Sequence, residues 1–586
     1  MPGSLIRGGT VVDGDGGPAR RADVRIAGGR IAEVAPDLPA RPGERVIEAA
    51  GKLVTPGFVD VHTHYDGQAT WDDALAPSCW HGVTTVVMGN CGVGFAPVRP
   101  GQEQKLIELM EGVEDIPGTA LTEGMTWGWE SFPDYLDTLA QRRWRVDVGT
   151  QVPHAAVRAY VMGARANDAH ATGEELAQMC GLVRDGVAAG ALGVSTTRML
   201  AHRTSRGEIV PGTFAEEAEL SALAHVLKDL GTGVFEVVPR GMDGEVSAEA
   251  HAELDWMGQV AADTGRPLVF SVVQTHTETD RWRLLLDRAA ELRAQGVPIY
   301  PQVGARPTGI LFGLESLQTP FSTRPAYKAL EYLPLAGRVA ELTRPEVRAE
   351  ILAQPNGKYR HPASQMLHED FANMFLVQAP IDWEPDDCDT VAALAREAGV
   401  SAEAYCYDYL LGNGGRNLLM YPYTNYFSRT LDDVRDMLTH PASMFGLGDA
   451  GAHCGIACDA GSTTLMLSYW ARDRVKGPRL PLETVVRMMT RDTAEVYGLH
   501  DRGRIAPGYR ADLNIIDHDR LTLHPPVMQF DLPTGARRLM QRASGYVATM
   551  VAGEVTIADD EATGALPGRL IRGAQAAPAQ AVSRLA

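Results

Sequence analysis

The chain has 586 residues, 45% hydrophobic and 22% charged, an ordinary globular composition with ample material for a core. Its formal net charge of −20 opposes nonspecific attraction to nucleic-acid phosphates or an anionic membrane, and no run of about 18 apolar residues offers a membrane span. The seven cysteines are odd in number and scattered, which argues against a disulfide framework and fits a reducing compartment.

The opening Met-Pro-Gly-Ser-Leu has neither a basic segment nor an apolar signal core, so a soluble, cytoplasmic protein is expected. Residues 5–13, 21–34 and 46–57 read as short strands broken by glycine turns, and 503–517 and 547–557 have the same character near the other end. Between them, short apolar runs alternate with helical segments, as parallel βα units should. Candidate strands are 57–62, 84–88, 147–152, 192–195, 233–238, 268–273, 297–302 and 444–448. The gap between the last two is too long for one βα connection, which predicts a helical insertion over about 312–440 with helices at 325–342 and 389–399. Its aromatic residues, such as Tyr407, Tyr421 and Tyr423, suit packing within the insertion or a lid over a pocket. Residues 568–586, rich in Ala, Gln, Pro and Arg, read as a loose tail.

The first candidate strand ends in His62-Thr63-His64. Alternation along an extended chain puts both imidazoles on one face, where they can hold one metal ion, although two surface histidines would be commonplace. Cys91 follows the second strand. It is either a thiolate ligand or a small buried hydrophobe. Asp449, after the last strand, suits a general base, or else a turn aspartate among glycines.

As an ordered set, Pro56-Gly-Phe-Val-Asp-Val-His-Thr-His64, Gly89-Asn-Cys-Gly92, Gly190-Ala-Leu-Gly-Val-Ser-Thr196 and Gly446-Leu-Gly-Asp-Ala-Gly-Ala-His453, flanked by the terminal strands, resembles the amidohydrolase superfamily. The similarity is strongest to its N-acyl-D-amino-acid deacylase branch. That resemblance implies an α/β fold: a metal-dependent (β/α)8 TIM-like barrel over 57–499, carrying the insertion, beside a small β-sandwich domain built from 1–56 and 500–567. It implies hydrolysis of a linear amide C–N bond in a small molecule, an N-acyl-amino acid first and another amide (peptide-like, cyclic or carbamoyl) as the alternative, with one or two ions of zinc or another divalent transition metal and Asp449 as proton shuttle. No nucleic-acid or membrane partner is expected, and a homo-oligomer is left open. His62, His64 and Cys91 correspond to metal positions.

Two further ligand histidines of the branch correspond to Val238 and Val272, and valine cannot bind a metal. Three readings stay open: Glu236 and His276 rebuild part of a second site; a single metal remains; or the chain is a noncatalytic relative that has lost part of its site. No lysine ends a candidate strand, which weakens a hydantoinase or dihydroorotase reading and leaves Cys91 as the natural bridge. For a substrate carboxylate or pocket contact the candidates are His154, Arg198, Arg240, Arg306 and His453. The glycine-rich turns form no dinucleotide or Walker motif, so no nucleotide cofactor is implied.

Overall fold

The computed structural model describes residues 3–167, 169–242, 244, 248–358 and 362–579. Both chain ends build one sheet. β1 (Ser4–Val11), β2 (Arg20–Ala27), β3 (Arg30–Ala35), β4 (Arg45–Glu48) and β5 (Leu53–Pro56) come from the N-terminal side. Alternation of Ile6, Val24 and Ile26 with charged residues gives these strands one apolar face, which packs against Leu513, Ile515 and Met550 from the far end of the chain.

The chain then enters a TIM-barrel-like α/β fold. Parallel strands β6 (Phe58–Asp60), β7 (Val83–Met88) and β8 (Asp147–Thr150) pair in that order, separated in sequence by α1 (Glu103–Glu114), α2 (Gly118–Gly124) and α3 (Phe132–Ala140). One residue beyond β8 lies β9 (Val152–Pro153), which opens a second parallel set. It runs through β10 (Gly193–Thr197), β11 (Val234–Val238), β12 (Leu268–Ser271) and β13 (Ile299–Val303). The intervening helices are α4 (His154–Met162), α5 (Gly173–Ala189), α6 (Glu217–Leu230), α7 (Ala248–Thr264) and α8 (Arg281–Ala294). These strands are buried almost throughout because both faces are covered, and β11 and β12 are mostly apolar. Val59, Val87, Leu192, Val234 and Val269 form one buried cluster with Tyr497.

The insertion after β13 contains more than helices. β14 (Gly309–Phe312) opens it, followed by α9 (Pro325–Lys328), α10 (Leu335–Leu342), α11 (Pro345–Ala353) and α12 (Pro362–Glu369). β15 (Phe375–Val377), α13 (Val391–Glu397), α14 (Ala402–Gly415) and β16 (Leu418–Pro422) complete it. β14 and β15 flank β16 in an antiparallel sheet. The expected helix over 325–342 is two short helices, divided ahead of Pro334. Tyr407 and Tyr421 lie in the insertion's own core, whereas Tyr423 faces the main cavity. After α15 (Asp432–Thr439), β17 (Met444–Phe445) rejoins the parallel set beside β13, and an Ala450–Thr63 bridge links it back to the chain following β6.

The C-terminal part returns to the first sheet through β18 (Leu513–Ile516), which lies antiparallel to β5. Short strands β19 (Thr522–Leu523), β20 (Val527–Leu532), β21 (Ala536–Met540) and β22 (Ala543–Ser544) follow, with β20 and β21 forming a hairpin. β23 (Tyr546–Val551), β24 (Glu554–Ala558) and β25 (Glu561–Ala562) complete the sheet, whose order is β25-β24-β23-β18-β5-β1-β2-β3 with β4 beside β1. A buried ionic cluster ties this region to the base of the parallel strands: Arg502 stands 2.9 Å from Asp147 of β8, and Arg510 stands 2.8 Å from the same carboxylate.

The expected tail is not loose where it is described. Gly568 bridges Trp144, Leu570 bridges Val148 beside β8, and Ile571 is buried under the strands. The apolar pair Leu570 and Ile571, hidden among Ala and Gln, supplies the physical reason. Residues 580–586 lie outside the described residues.

Candidate metal and catalytic site

β6 ends at Asp60, and the chain stays extended beyond it through Thr63 N–H to Val87 O and His64 N–H to Ala450 O, at 3.1 and 2.8 Å. That extension preserves alternation, so both imidazoles point to the same side, their centroids 5.4 Å apart. Cys91 follows β7 in a left-handed conformation, φ 54°, which aims its thiol back at the histidines. Gly92 beside it has φ 70°, and a Cβ there would stand 2.9 Å from the Thr196 backbone, so this turn requires glycine.

The Cys91 Sγ lies 3.3 Å from His62 Nε2 and 3.8 Å from His64 Nε2. One ligand atom from each of the three falls within 4.8 Å of the others, and all three residues are buried. Asp449, also at a left-handed position, stands beside the group, with Oδ1 at 3.3 Å from His62 Nε2 and 3.6 Å from His64 Nε2. Its side chain is 21% exposed while those of the histidines are at most 1%, so the carboxylate is the member a solute can reach.

Two imidazoles, a thiol and a carboxylate suit zinc or a similar borderline-soft ion better than magnesium or calcium. Their supports fit that role. His62 Nδ1 donates to Gln302 Oε1 at 2.9 Å, which leaves Nε2 free to bind. Cys91 N–H donates to Glu236 Oε2 at 3.0 Å, fixing the turn from beneath.

Burial pushes the Cys91 thiol well up, reinforced by nearby carboxylates, and lowers His64. Burial would also raise Asp449, but the His64 hydrogen bond and the charges of His62 and His64 outweigh it and hold the carboxyl well below its usual range. Glu236 is raised by burial to about 8. A cation among these groups would favour the thiolate and relieve the crowded carboxyls.

His62, Cys91 and Asp449 of the cluster line a cavity of about 1560 Å³. His62, Cys91, Glu114, Val238, Asp449 and His453 line its depth, and Arg203, Phe530 and Arg537 line it farther out. A family model described as "Amidohydrolase family" matches residues 45–557. The chain belongs to the amidohydrolase family. The N-acyl-D-glutamate deacylase of Alcaligenes xylosoxydans xylosoxydans is 29% identical over 525 residues, covering 88% of this chain and 87% of that one. A solved D-aminoacylase, described with a binuclear metal centre activated by one metal and attenuated by a second, superposes with a TM-score of 0.64 at 24% identity, covering 97% and 99% of the two chains. The zinc- and phosphonate-bound N-acyl-D-glutamate deacylase of Bordetella bronchiseptica gives a TM-score of 0.62 at 23% identity, covering 98% and 100%.

In this amidohydrolase several anticipated residues lie apart from the cluster. Glu236 is outside the group of ligand atoms, held by the Cys91 amide. His276 lies beyond β12 with its ring against Phe427, centroids 6.2 Å apart, and also stands outside the ligand group. His154 has both ring nitrogens engaged, with Thr196 Oγ1 and Glu219 Oε1, each at 2.9 Å, so it has no donor for a substrate. Arg198 is buried against Glu253 at 2.9 Å, and Arg240 stands 3.8 Å from the same carboxylate. Arg306 pairs with Asp459 at 2.8 Å and covers Trp383; it lines a separate cavity of about 390 Å³. His453 does line the main cavity.

The valines also divide. Val238 faces the cavity, but Val272 is turned into the core while Ser271 and Val273 line the cavity on either side of it. Two residues that sequence reasoning missed stand against the histidines: Gln302, at the end of a predicted strand, beside His62, and Glu114, the last residue of α1, beside His64.

Proposed function

We propose that this amidohydrolase hydrolyses the amide C–N bond of an N-acyl-amino acid, with an N-acyl-D-amino acid as the leading substrate class. The observation that carries the reading is the convergence of His62, His64 and Cys91 with the accessible Asp449 beside a cavity, in a chain of this family. The deacylase relatives support the substrate class. The finer architecture belongs to the same reading: a complete (β/α)8 barrel over about 57–499 beside a β-sandwich domain from 1–56 and 500–567.

His62, His64 and Cys91 would hold a divalent ion, with Asp449 beside it. Such an ion, when bound, polarises an amide carbonyl and lowers the pKa of water. Asp449 accepts the proton of the attacking water and returns it to the amide nitrogen as the C–N bond breaks. Its carboxylate suits the first step because it stays charged at neutral pH. Cys91 and the imidazoles stay in place, Cys91 through Glu236 and His62 through Gln302. The cavity walls orient the acyl group and exclude bulk water.

The test combines metal content with a panel of N-acyl-D- and N-acyl-L-amino acids. The expected result is about one equivalent of zinc or a similar ion per chain, hydrolysis of the D series, and a loss of roughly 10²–10⁴-fold in kcat for Asp449→Asn with the fold intact. Metal-loaded protein that cleaves no member of the panel would overturn the substrate class. Protein that takes up no metal would favour the noncatalytic scaffold suggested by Val238 and Val272.

A further inference from the structure

Glu114 is the last residue of α1 and is 2% exposed, at a helix end where an acidic side chain ordinarily reaches water. It points at the cluster instead. Its Oε1 stands 3.4 Å from His64 Nδ1, the nitrogen facing away from Cys91, and neither atom has a hydrogen-bond partner among the described residues. Its Oε2 stands 3.9 Å from His453 Nε2.

The backbone makes this placement firm. The Glu114 carbonyl accepts from the His453 N–H, and Asp115, left-handed at φ 52°, accepts from the Gly455 N–H at 2.8 Å. Two adjacent residues at the end of α1 therefore clip the loop that carries Asp449. A carboxylate removed from water at such a position is costly unless a partner compensates it, and Lys and Arg make no ion pair with it among the described residues.

We infer that Glu114 is the positioning residue of the metal centre: its carboxyl Oε1 accepts the Nδ1 proton of His64 and fixes that imidazole with Nε2 toward the ion. The inference rests on the metal-site reading given above. Carboxylate acceptors behind a ligating histidine set both ring orientation and ligand basicity. His62 has an amide acceptor in Gln302, and Glu114 stands in the corresponding place behind His64. α1 follows β7, the strand that also delivers Cys91, so one βα segment contributes both a ligand and the residue that orients another.

The experiment measures zinc affinity by competition with a chromophoric chelator, and the visible absorption of the cobalt(II)-substituted protein, for wild type, Glu114→Gln, Glu114→Asp and Asp115→Asn. Glu114→Gln is nearly isosteric and is expected to weaken metal binding by about 10–100-fold and to change the cobalt bands. Glu114→Asp, which keeps the carboxyl but withdraws it by one methylene, should fall between and carries the same reading should the glutamine variant not fold. Asp115→Asn disturbs the Gly455 contact without touching His64 and should stay within about threefold of wild type. Wild-type affinity and an unchanged cobalt spectrum in both Glu114 variants would overturn the inference, as would an equal loss in Asp115→Asn. Failure of wild type itself to bind metal would overturn the metal-site reading on which it stands.

Discussion

His62 and Gln302 are joined across the barrel-like core by a 2.9 Å hydrogen bond from the imidazole Nδ1 to the amide Oε1. Gln302 stands on β13 and is fully buried, its Nε2 without a partner, so the side chain is kept in the interior for what its oxygen does. Gln302→Leu removes the acceptor that sets the His62 tautomer. Metal affinity is expected to fall by roughly tenfold or more while the fold persists, read by chelator competition and circular dichroism.

Loss of the ion should register as stability. Apo and zinc-loaded protein differ by ligand binding to the native state alone, about 4 kcal/mol when free ion exceeds its dissociation constant a thousandfold. Treatment with a chelator is expected to lower the melting temperature, and returning zinc should restore it. Calorimetry of one sample before and after chelation reads both. Identical melting curves would count against an ion at this cluster.

Glu219 offers a pH dependence that does not involve the metal site. Burial would raise its carboxyl, but hydrogen bonds and charges from His154 and Arg158 outweigh it and hold it near about 2, below the ordinary 4.5. A folded value below the unfolded one means that the stabilisation is complete above about 4.5 and is lost as pH falls toward about 2. Glu219→Gln should therefore melt below wild type at neutral pH, with the gap narrowing as pH drops through that window. Melting of the metal-free proteins between about pH 2 and 6 checks this.

Arg502 should be costly to remove. It lies against Asp147, Asp501 and Thr85 at 2.8 to 2.9 Å, and it is itself buried. Burial would lower its pKa, but the surrounding carboxylates outweigh that and raise it further. Arg502→Leu leaves Asp147 with Arg510 and the Arg569 N–H, and a loss of about 3–5 kcal/mol is expected by denaturant titration. A loss below about 1 kcal/mol would place the cluster with ordinary surface pairs.

The site was legible where chemistry coincided with strand periodicity. His62 and His64 share a face because alternation continues past β6, and Cys91 and Asp449 sit directly after apolar runs. Glu114 was hidden because an acidic residue ending a charged helix looks like one facing solvent; only the fold turns it inward. The arginines misled for the opposite reason. Arg198 meets Glu253 and Arg306 meets Asp459 across distant stretches of chain, and nothing local in the sequence announces such neutralising partners. The short strands β14 and β15 escaped notice because each is brief and they join β16 only after several helices intervene.

The sheet shared by the two chain ends also sets a timetable for synthesis. β5 emerges early from the ribosome, yet its neighbour β18 is made only after the whole parallel set and the insertion. At about 5–20 residues per second the first strands wait tens of seconds or longer with an apolar face and an open edge. During that interval the far edge strand β3 carries the charged Arg30 and Glu33, which discourage pairing there, while the β5 edge stays open until β18 is made.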